Sequence, residues 1–265
     1  MAFSPITDLV NWRLSSRVPR LHAMRDAPLA AQDQVFRMLM TAAAQTDYGK
    51  AHGLTATTTY AEFAAAVPIV NYDKVYPWIE RSMRGEANVL WPGVTKWFAK
   101  SSGTTAAKSK FIPVSHESLE DNHFKVGRDL LAFYAEQVPD SQLYDGLSLR
   151  LGGSSKINEL NEHSYYGDLS AIMIDNLPMW ASWRSTPSHD VALMDEWEAK
   201  IEKIAQQVAR QNVTSLFGVP SWMLVLLRRV LEIRGETTLE AVWPNLELFV
   251  HGGVAYTPYE ASFAA

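Results

Sequence analysis

The sequence runs Lys100-Ser101-Ser102-Gly103-Thr104-Thr105-Ala106-Ala107-Lys108-Ser109-Lys110 between two short β-prone segments. This stretch is named the hydroxyl-rich loop. Its first half places four hydroxyl groups around one glycine. Glycine lets the backbone approach a ligand closely, and consecutive amides in such a turn form a concavity that binds anions. Hydroxyls donate to phosphate oxygens, and lysine adds positive charge. The composition predicts a phosphate-binding loop, against the simpler alternative of a flexible surface turn.

The Walker phosphate loop is a poorer match to the same stretch. That motif requires a second glycine, followed by lysine, after four intervening residues. Counted from Gly103, the second glycine falls on Lys108. The hydroxyl-rich loop is therefore predicted to hold phosphates without a Walker motif.

Strand and helix patterns alternate on both sides of this loop. The predicted strands are 95–99, 111–114, 147–151, 213–217 and 246–250. The predicted helices are 29–46, 72–84, 115–137, 191–210 and 220–234. Strands separated by helices favour an α/β fold with parallel pairing. We expect a mainly helical segment over 1–90 and an α/β nucleotide-binding part over 91–265.

The segment Val191–Arg210 has the clearest amphipathic pattern. Apolar residues recur there at three- and four-residue steps, namely Met194, Trp197, Ile201, Ile204, Ala205 and Val208. Such a stripe predicts a helix packed against a core. Glu196 and Lys200 stand four residues apart, and they are predicted to pair on the solvent-facing side of that helix.

Composition excludes several classes of protein. The net charge is −5 with no run of lysine and arginine, so the basic face that nucleic-acid binding requires is missing. Cysteine is absent, which removes disulfides and thiolate chemistry. The longest apolar run is Trp222–Leu227, far below the ~20 residues of a membrane span. The start of the chain lacks the pattern of a signal peptide, and a cytoplasmic location is expected.

Several motifs together resemble the auxin-responsive GH-three family. Its members are acyl acid amido synthetases within the adenylate-forming superfamily, which includes acyl-CoA synthetases and luciferases. The resemblance is carried by 98–105 with 108–115, then 151–154, 165–170, 218–222 and 249–254. These motifs follow the family's order across essentially the whole chain, and bacterial members are the most similar.

The resemblance implies that the chain is the N-terminal portion of an adenylate-forming large domain. The ATP phosphates would be held by Ser101, Ser102, Gly103, Thr104 and Thr105. Lys110 would be the catalytic lysine that closes the motif, and Gly252 and Gly253 would lie beside the adenine. The acyl pocket would be bordered by Gly218, Val219, Pro220 and Trp222. Mg²⁺ is expected to arrive with ATP, with no metal ligands of the protein's own. Ala106 departs from the glycine that many superfamily members carry.

The implied reaction is ATP-dependent activation of a carboxylic acid, followed by amide formation with an amino acid. The family's second and third nucleotide motifs and its C-terminal domain are not in this sequence, so the chain alone is expected to be inactive. Two alternatives stay open: a non-catalytic nucleotide-binding or interaction module, and an acyl-adenylate enzyme with a thiol acceptor. His251-Gly252-Gly253 is also similar to an esterase oxyanion loop, but a G-x-S-x-G elbow is missing.

Overall fold

The computed structural model describes residues 5–101, 109–153 and 157–263. The chain divides into two compact units, and each has its own four-stranded sheet. The parallel-sheet unit comprises Met1–Ser16, Leu131–Lys156 and Ser170–Ala265. The mixed-sheet unit comprises Arg17–Leu130 and Ile157–Leu169.

Helices predominate before the first strand, and helices and strands alternate after it. The helices are α1 (Pro5–Ser15), α2 (Val18–Asp26), α3 (Pro28–Ala43), α4 (Asp47–Ala51), α5 (Tyr60–Ala66), α6 (Tyr72–Met83), α7 (Phe124–Gln137), α8 (Leu169–Asp175), α9 (Met179–Ser182), α10 (His189–Ala192), α11 (Trp197–Val208), α12 (Pro220–Arg234), α13 (Leu239–Val242) and α14 (Glu260–Phe263). The strands are β1 (Trp97–Lys100), β2 (Phe111–Val114), β3 (Leu147–Leu151), β4 (Asn158–Asn161), β5 (Ser164–Gly167), β6 (Ser185–Thr186), β7 (Val213–Gly218) and β8 (Leu248–His251). A π-helical turn spans Ser118–His123, and 3-10 turns span Leu143–Asp145 and Thr257–Tyr259.

The mixed-sheet unit is built around strand β1. Its sheet has the order β2-β1-β5-β4, in which β1 pairs antiparallel with β2 and parallel with β5. Phe98 of β1 is fully buried and packs with Ile79 and Met83 of α6. Helix α6 begins after Asn71, whose side chain accepts a hydrogen bond from the Lys74 amide at 3.3 Å. The packed face of α6 thereby supports the strand that precedes the hydroxyl-rich loop.

The parallel-sheet unit has the strand order β6-β3-β7-β8, with all pairs parallel. One face of this sheet packs on α11 and α12 through fully buried side chains such as Leu149, Ile204 and Leu226. Burial of a side chain of this size stabilises the fold by about 1.5–3 kcal/mol. Helix α12 begins with Pro220. Proline has no backbone N–H, but an amide at the first helical position would have no partner within the helix. The helix ends before Gly235, which has φ 68°.

The predicted α/β class with a helical leading segment is confirmed by this order of elements. Strands β3 and β7 and helix α12 agree closely with their predicted bounds. The predicted helix 191–210 is wrong at its start, because α11 begins only at Trp197 and Glu196 is its N-cap. Strands β4 and β5 were not predicted. Among the described residues, no helix is both long enough and apolar enough to cross a membrane.

Candidate functional site

The hydroxyl-rich loop connects two paired strands of the mixed-sheet unit. Lys100 of β1 is opposite Phe111 of β2, and the Ser101 amide donates to the Lys110 carbonyl at 2.9 Å. The two ends of the loop are therefore held together by the sheet. The predicted phosphate ligands Ser102, Gly103, Thr104 and Thr105 lie outside the described residues.

Lys110 has an exposed side chain at the start of β2. Its ammonium nitrogen lies 5.5 Å from the centre of the Tyr72 ring. Within the described ranges, no carboxylate forms an ion pair with this ammonium, so its charge is available to an anionic ligand. This is the environment that a phosphate-binding lysine requires.

Tyr72 fixes the backbone beside Lys110. Its hydroxyl accepts a hydrogen bond from the Phe111 amide at 2.9 Å and donates to the Phe111 carbonyl at 3.1 Å. Burial raises the pKa of the Tyr72 hydroxyl above its usual range, so the group stays neutral. The first residue of helix α6 is therefore bonded to β2 directly after Lys110. Nothing in the sequence around Tyr72 marked it for this role.

Three turns, two of which contain a pair of glycines, follow strands that end at one edge of the parallel sheet. Leu151 is opposite Gly218, and Gly218 is opposite His251, so β3, β7 and β8 end at the same level. The turns that follow are Gly152-Gly153, Val219-Pro220 and Gly252-Gly253. The chain leaves β3 toward β6 on one side, whereas β7 leads to β8 on the other. The carboxyl ends of β3 and β7 therefore flank a topological switch point, where open α/β sheets bind ligands.

A buried lysine holds the first of these turns. The Lys200 ammonium donates to the Gly153 carbonyl at 2.6 Å and lies 3.5 Å from the Gly152 carbonyl. The side chain is fully buried. The predicted surface pair of Glu196 with Lys200 is thus wrong: the Glu196 carboxylate instead accepts from the Ala199 amide at 2.5 Å and caps α11.

The segment Gly218–Trp222 forms the turn between β7 and α12. A side chain at position 218 would place its Cβ 3.0 Å from the Leu151 carbonyl oxygen, so the close approach of β3 and β7 favours glycine at this position. Pro220 is buried, whereas Trp222 is 37% exposed and its ring centre lies 5.6 Å from that of Trp197. Trp222 therefore has one free side, which is what a pocket-lining residue needs.

The Gly252-Gly253 pair is exposed directly after β8. Gly253 has φ 82°, and a Cβ at this position would lie 3.2 Å from Cγ2 of Val219. The predicted adenine-contacting pair and the predicted acyl-pocket turn are therefore neighbours in the parallel-sheet unit. The His251 ring stacks on Tyr256, with centres 4.3 Å apart and planes inclined by 20°. Lys110 and Ser101 belong to the mixed-sheet unit.

The strand order and the aligned strand ends define an α/β protein with a topological switch point at the carboxyl edge of its sheet, the place where such sheets form a ligand-binding crevice. Residues 17–265 match the GH3 family N-terminal domain. The chain therefore belongs to the GH3 family.

Known relatives share part of this sequence. Indole-3-acetic acid-amido synthetase GH3.8 of Oryza sativa subsp. indica is 34% identical over 92 residues, which are 34% of this chain and 15% of that protein. Jasmonoyl--L-amino acid synthetase JAR6 of Nicotiana attenuata is 28% identical over 126 residues, which are 47% of this chain and 21% of that protein.

A solved structure shares the fold. The GH3.15 acyl acid amido synthetase superposes with a TM-score of 0.73 at 15% identity, over 94% of this chain and 54% of that one. The chain thus spans about half the length of its solved relative. The described part of the molecule has the fold of the N-terminal portion of an acyl acid amido synthetase.

Proposed function

We propose that this chain, as part of an enzyme with the full length of its relatives, serves to activate a carboxylic acid with ATP and then to join the acyl group to an amino acid. The observation that carries the proposal is the strand-anchored loop that begins at Ser101 and ends at Lys110, whose ammonium pairs with no carboxylate of the described residues. Membership of the GH3 family and the names of the relatives support it, because those proteins are amido synthetases.

The proposed role of the loop is electrostatic. Amides and hydroxyls from Ser101 to Thr105 would orient the β- and γ-phosphates of ATP, and Lys110 would balance the charge that develops on the departing pyrophosphate. Donors that are already positioned need no reorganisation when the reaction occurs, which is why such groups contribute strongly to rate. Mg²⁺ would enter with the nucleotide.

The glycine turns of the parallel sheet support a place for the nucleoside. No described atom lies within 4 Å of a Cβ placed on Gly252, so one side of this exposed residue is open. A flat adenine ring could approach the backbone there without meeting a side chain. The switch-point crevice beside Gly218 would hold the acid, with Trp222 at its border.

The proposed chemistry has two steps. A carboxylate oxygen attacks the α-phosphorus of ATP, the bond from that phosphorus to the bridging oxygen breaks, and pyrophosphate leaves. The amino group of an amino acid then attacks the activated carbonyl carbon, AMP leaves with the bonding electrons, and the ammonium proton is lost to solvent. The product is an amide.

Product analysis tests this proposal. The full-length enzyme is incubated with ATP, Mg²⁺ and a panel of aryl and alkyl carboxylic acids, with and without amino acids. We expect AMP and an amide, identified by mass spectrometry, only when both an acid and an amino acid are present. AMP formation that requires a thiol such as coenzyme A would support the thioester alternative. Nucleotide binding without any turnover would support the non-catalytic module.

A further inference from the structure

A separate cavity of about 180 Å³ lies in the parallel-sheet unit. Arg150 of β3 lines it, together with Ser185 and Thr186 of β6 and with His189 of α10. Its remaining wall includes Ile174 and Leu177. No residue of the Gly218–Trp222 turn or of the Gly252-Gly253 pair lines this cavity. The two predicted substrate regions therefore leave it unexplained.

Arg150 has no anionic partner in the described part of the chain. Its Nε is buried without a hydrogen-bond partner, and its guanidinium carbon lies 5.2 Å from the centre of the Phe217 ring. Burial alone lowers the pKa of Arg150 to about 10, with no carboxylate to oppose the shift. Arg150 is partly buried, and a desolvated cation without a compensating anion is unfavourable, so this group calls for an explanation such as a missing ligand. Contact with Phe217 holds the guanidinium in place beside the cavity.

The polar groups that line the cavity indicate which charge a ligand would carry. Ser185 Oγ already donates to the Ala181 carbonyl at 2.7 Å, and Thr186 Oγ1 donates to Gln211 Oε1 at 2.7 Å. His189 Nε2 lies 3.4 Å from a carboxylate oxygen of Asp175. The cavity thus offers one permanent positive charge, and the hydroxyls of Ser182 and Ser188 also line it. A single permanent positive charge balances a singly charged anion better than a doubly charged phosphate.

Size and wall chemistry restrict the ligand further. The volume of about 180 Å³ lies below the usual range of ligand pockets, roughly 300–1,000 Å³, so a nucleotide does not fit. Ile174 and Leu177 form an apolar surface. We infer that the cavity binds a small monocarboxylate, whose carboxylate pairs with the Arg150 guanidinium and whose short tail contacts Ile174 and Leu177. The planar fork of an arginine matches the two oxygens of a carboxylate.

This inference does not rest on the proposed function, and its test omits ATP. Neutralised sodium butyrate is titrated into the protein while the imidazole proton resonances are followed by NMR. The His189 resonance is assigned as the one missing from His189→Gln. We expect it to shift saturably with butyrate. In Arg150→Met, the apparent affinity should fall at least about tenfold, the loss expected for one charge-assisted contact.

Three further variants sharpen the test. Arg150→Lys keeps the charge without the fork and should bind butyrate more weakly than the wild type. Leu177→Phe keeps Arg150 and fills the cavity, so it should also lose the shift. Arg228→Met, at an exposed position of α12 in the same unit, should leave the titration unchanged. Circular dichroism confirms that each variant is folded.

Several outcomes would overturn the inference. These are an absent His189 shift in the wild type, an equal shift in folded Arg150→Met, or an equal response to sodium phosphate at matched ionic strength. Because ATP and amino acid are absent from the titration, failure here would leave the amido synthetase activity untouched. Conversely, if the amido synthetase activity were not found, butyrate binding would still be expected.

Discussion

The Lys200 ammonium donates to the Gly153 carbonyl at 2.6 Å inside the parallel-sheet unit. This bond connects the second turn of α11 to the turn that follows β3. The turn lies beside the topological switch point, so Lys200 positions this edge of the sheet while its own side chain is fully buried. A fully buried ammonium is unfavourable unless its donors are satisfied, and the carbonyls of Gly152 and Gly153 help to satisfy them.

Replacement of Lys200 should lower the stability of the fold and loosen the turn after β3. Lys200→Met retains most of the buried volume but leaves the Gly153 carbonyl without this donor. We expect the free energy of unfolding to fall by about 1–3 kcal/mol, which is the range for a buried polar group that loses its partner. Urea denaturation followed by circular dichroism measures the change. Acid-dependent AMP formation should fall as well, because the β3 turn is no longer fixed.

Lys203 provides the matched control for this substitution. It lies on the same helix with an exposed side chain, so Lys203→Met should change the free energy of unfolding by less than about 0.5 kcal/mol. If Lys200→Met and Lys203→Met unfolded at the same urea concentration, the positioning role of Lys200 would be wrong.

The glycine pair after β8 should respond unequally to alanine. Gly253 has φ 82° and faces Val219, so Gly253→Ala should destabilise the parallel-sheet unit by about 1–2 kcal/mol. Gly252 has open space around it, so Gly252→Ala should leave stability unchanged. If adenine binds against this backbone, Gly252→Ala should raise the Kd for ATP at unchanged Tm. Calorimetric unfolding and ATP titration of the two variants measure these effects, and equal loss of stability in both would contradict the assignment.

Glu247 anchors the region that precedes β3 to the start of β8. Its carboxylate accepts hydrogen bonds from Tyr134 Oη at 3.0 Å, Ser141 Oγ at 2.6 Å and the Gln142 amide at 2.7 Å. Burial, with a smaller contribution from the Glu247 carboxylate, raises the pKa of Tyr134 to about 12. Glu247→Gln should therefore lower the pKa of Tyr134 toward its usual value, which a spectrophotometric titration of tyrosine ionisation detects.

The raised pKa of Tyr134 makes the stability of the fold depend on pH in the alkaline range. The pKa of Tyr134 is higher in the folded state than the ordinary value of 10.0, so this stabilisation is complete below pH 10 and is lost as pH rises toward 12. Tyr134→Phe should remove this component of the alkaline loss of stability. An unchanged alkaline profile in Tyr134→Phe would refute the role assigned to this residue.

Local patterns in the sequence were sufficient to predict much of the parallel-sheet unit. Strand β3 and helix α12 have their predicted bounds, since apolar alternation, Pro220 and Gly235 act within a few residues of one another. The pairing of β1 with β5 joins residues almost seventy positions apart, as in Trp97 with Tyr165. Such a contact depends on the packed core and leaves no local pattern, so the pairing of β5 with β1 could not be predicted.

The misplacement of Lys200 has a specific physical cause. The residue stands three positions after Trp197 and four before Ile204, so helical geometry places it on the buried stripe. The charge of Lys200 led to the prediction of an exposed side chain. In the folded chain, however, the carbonyls of Gly152 and Gly153 come close enough to accept its hydrogen bonds. The position of Arg150 is likewise set by the side-chain period of its element. Arg150 alternates with Leu149 and Leu151, which face the core, and it therefore lies on the opposite face of the sheet.

The assignment of Lys110 is tested most directly by ATP–pyrophosphate exchange. In the presence of a carboxylic acid that supports turnover, the wild-type full-length enzyme should exchange label between pyrophosphate and ATP. Lys110→Ala should lower the exchange rate about 100-fold or more, because one contact to the developing pyrophosphate anion is lost. Lys100→Ala, on the neighbouring strand, is the matched control and should retain far more activity. Near-normal acid-dependent exchange by folded Lys110→Ala would contradict the account.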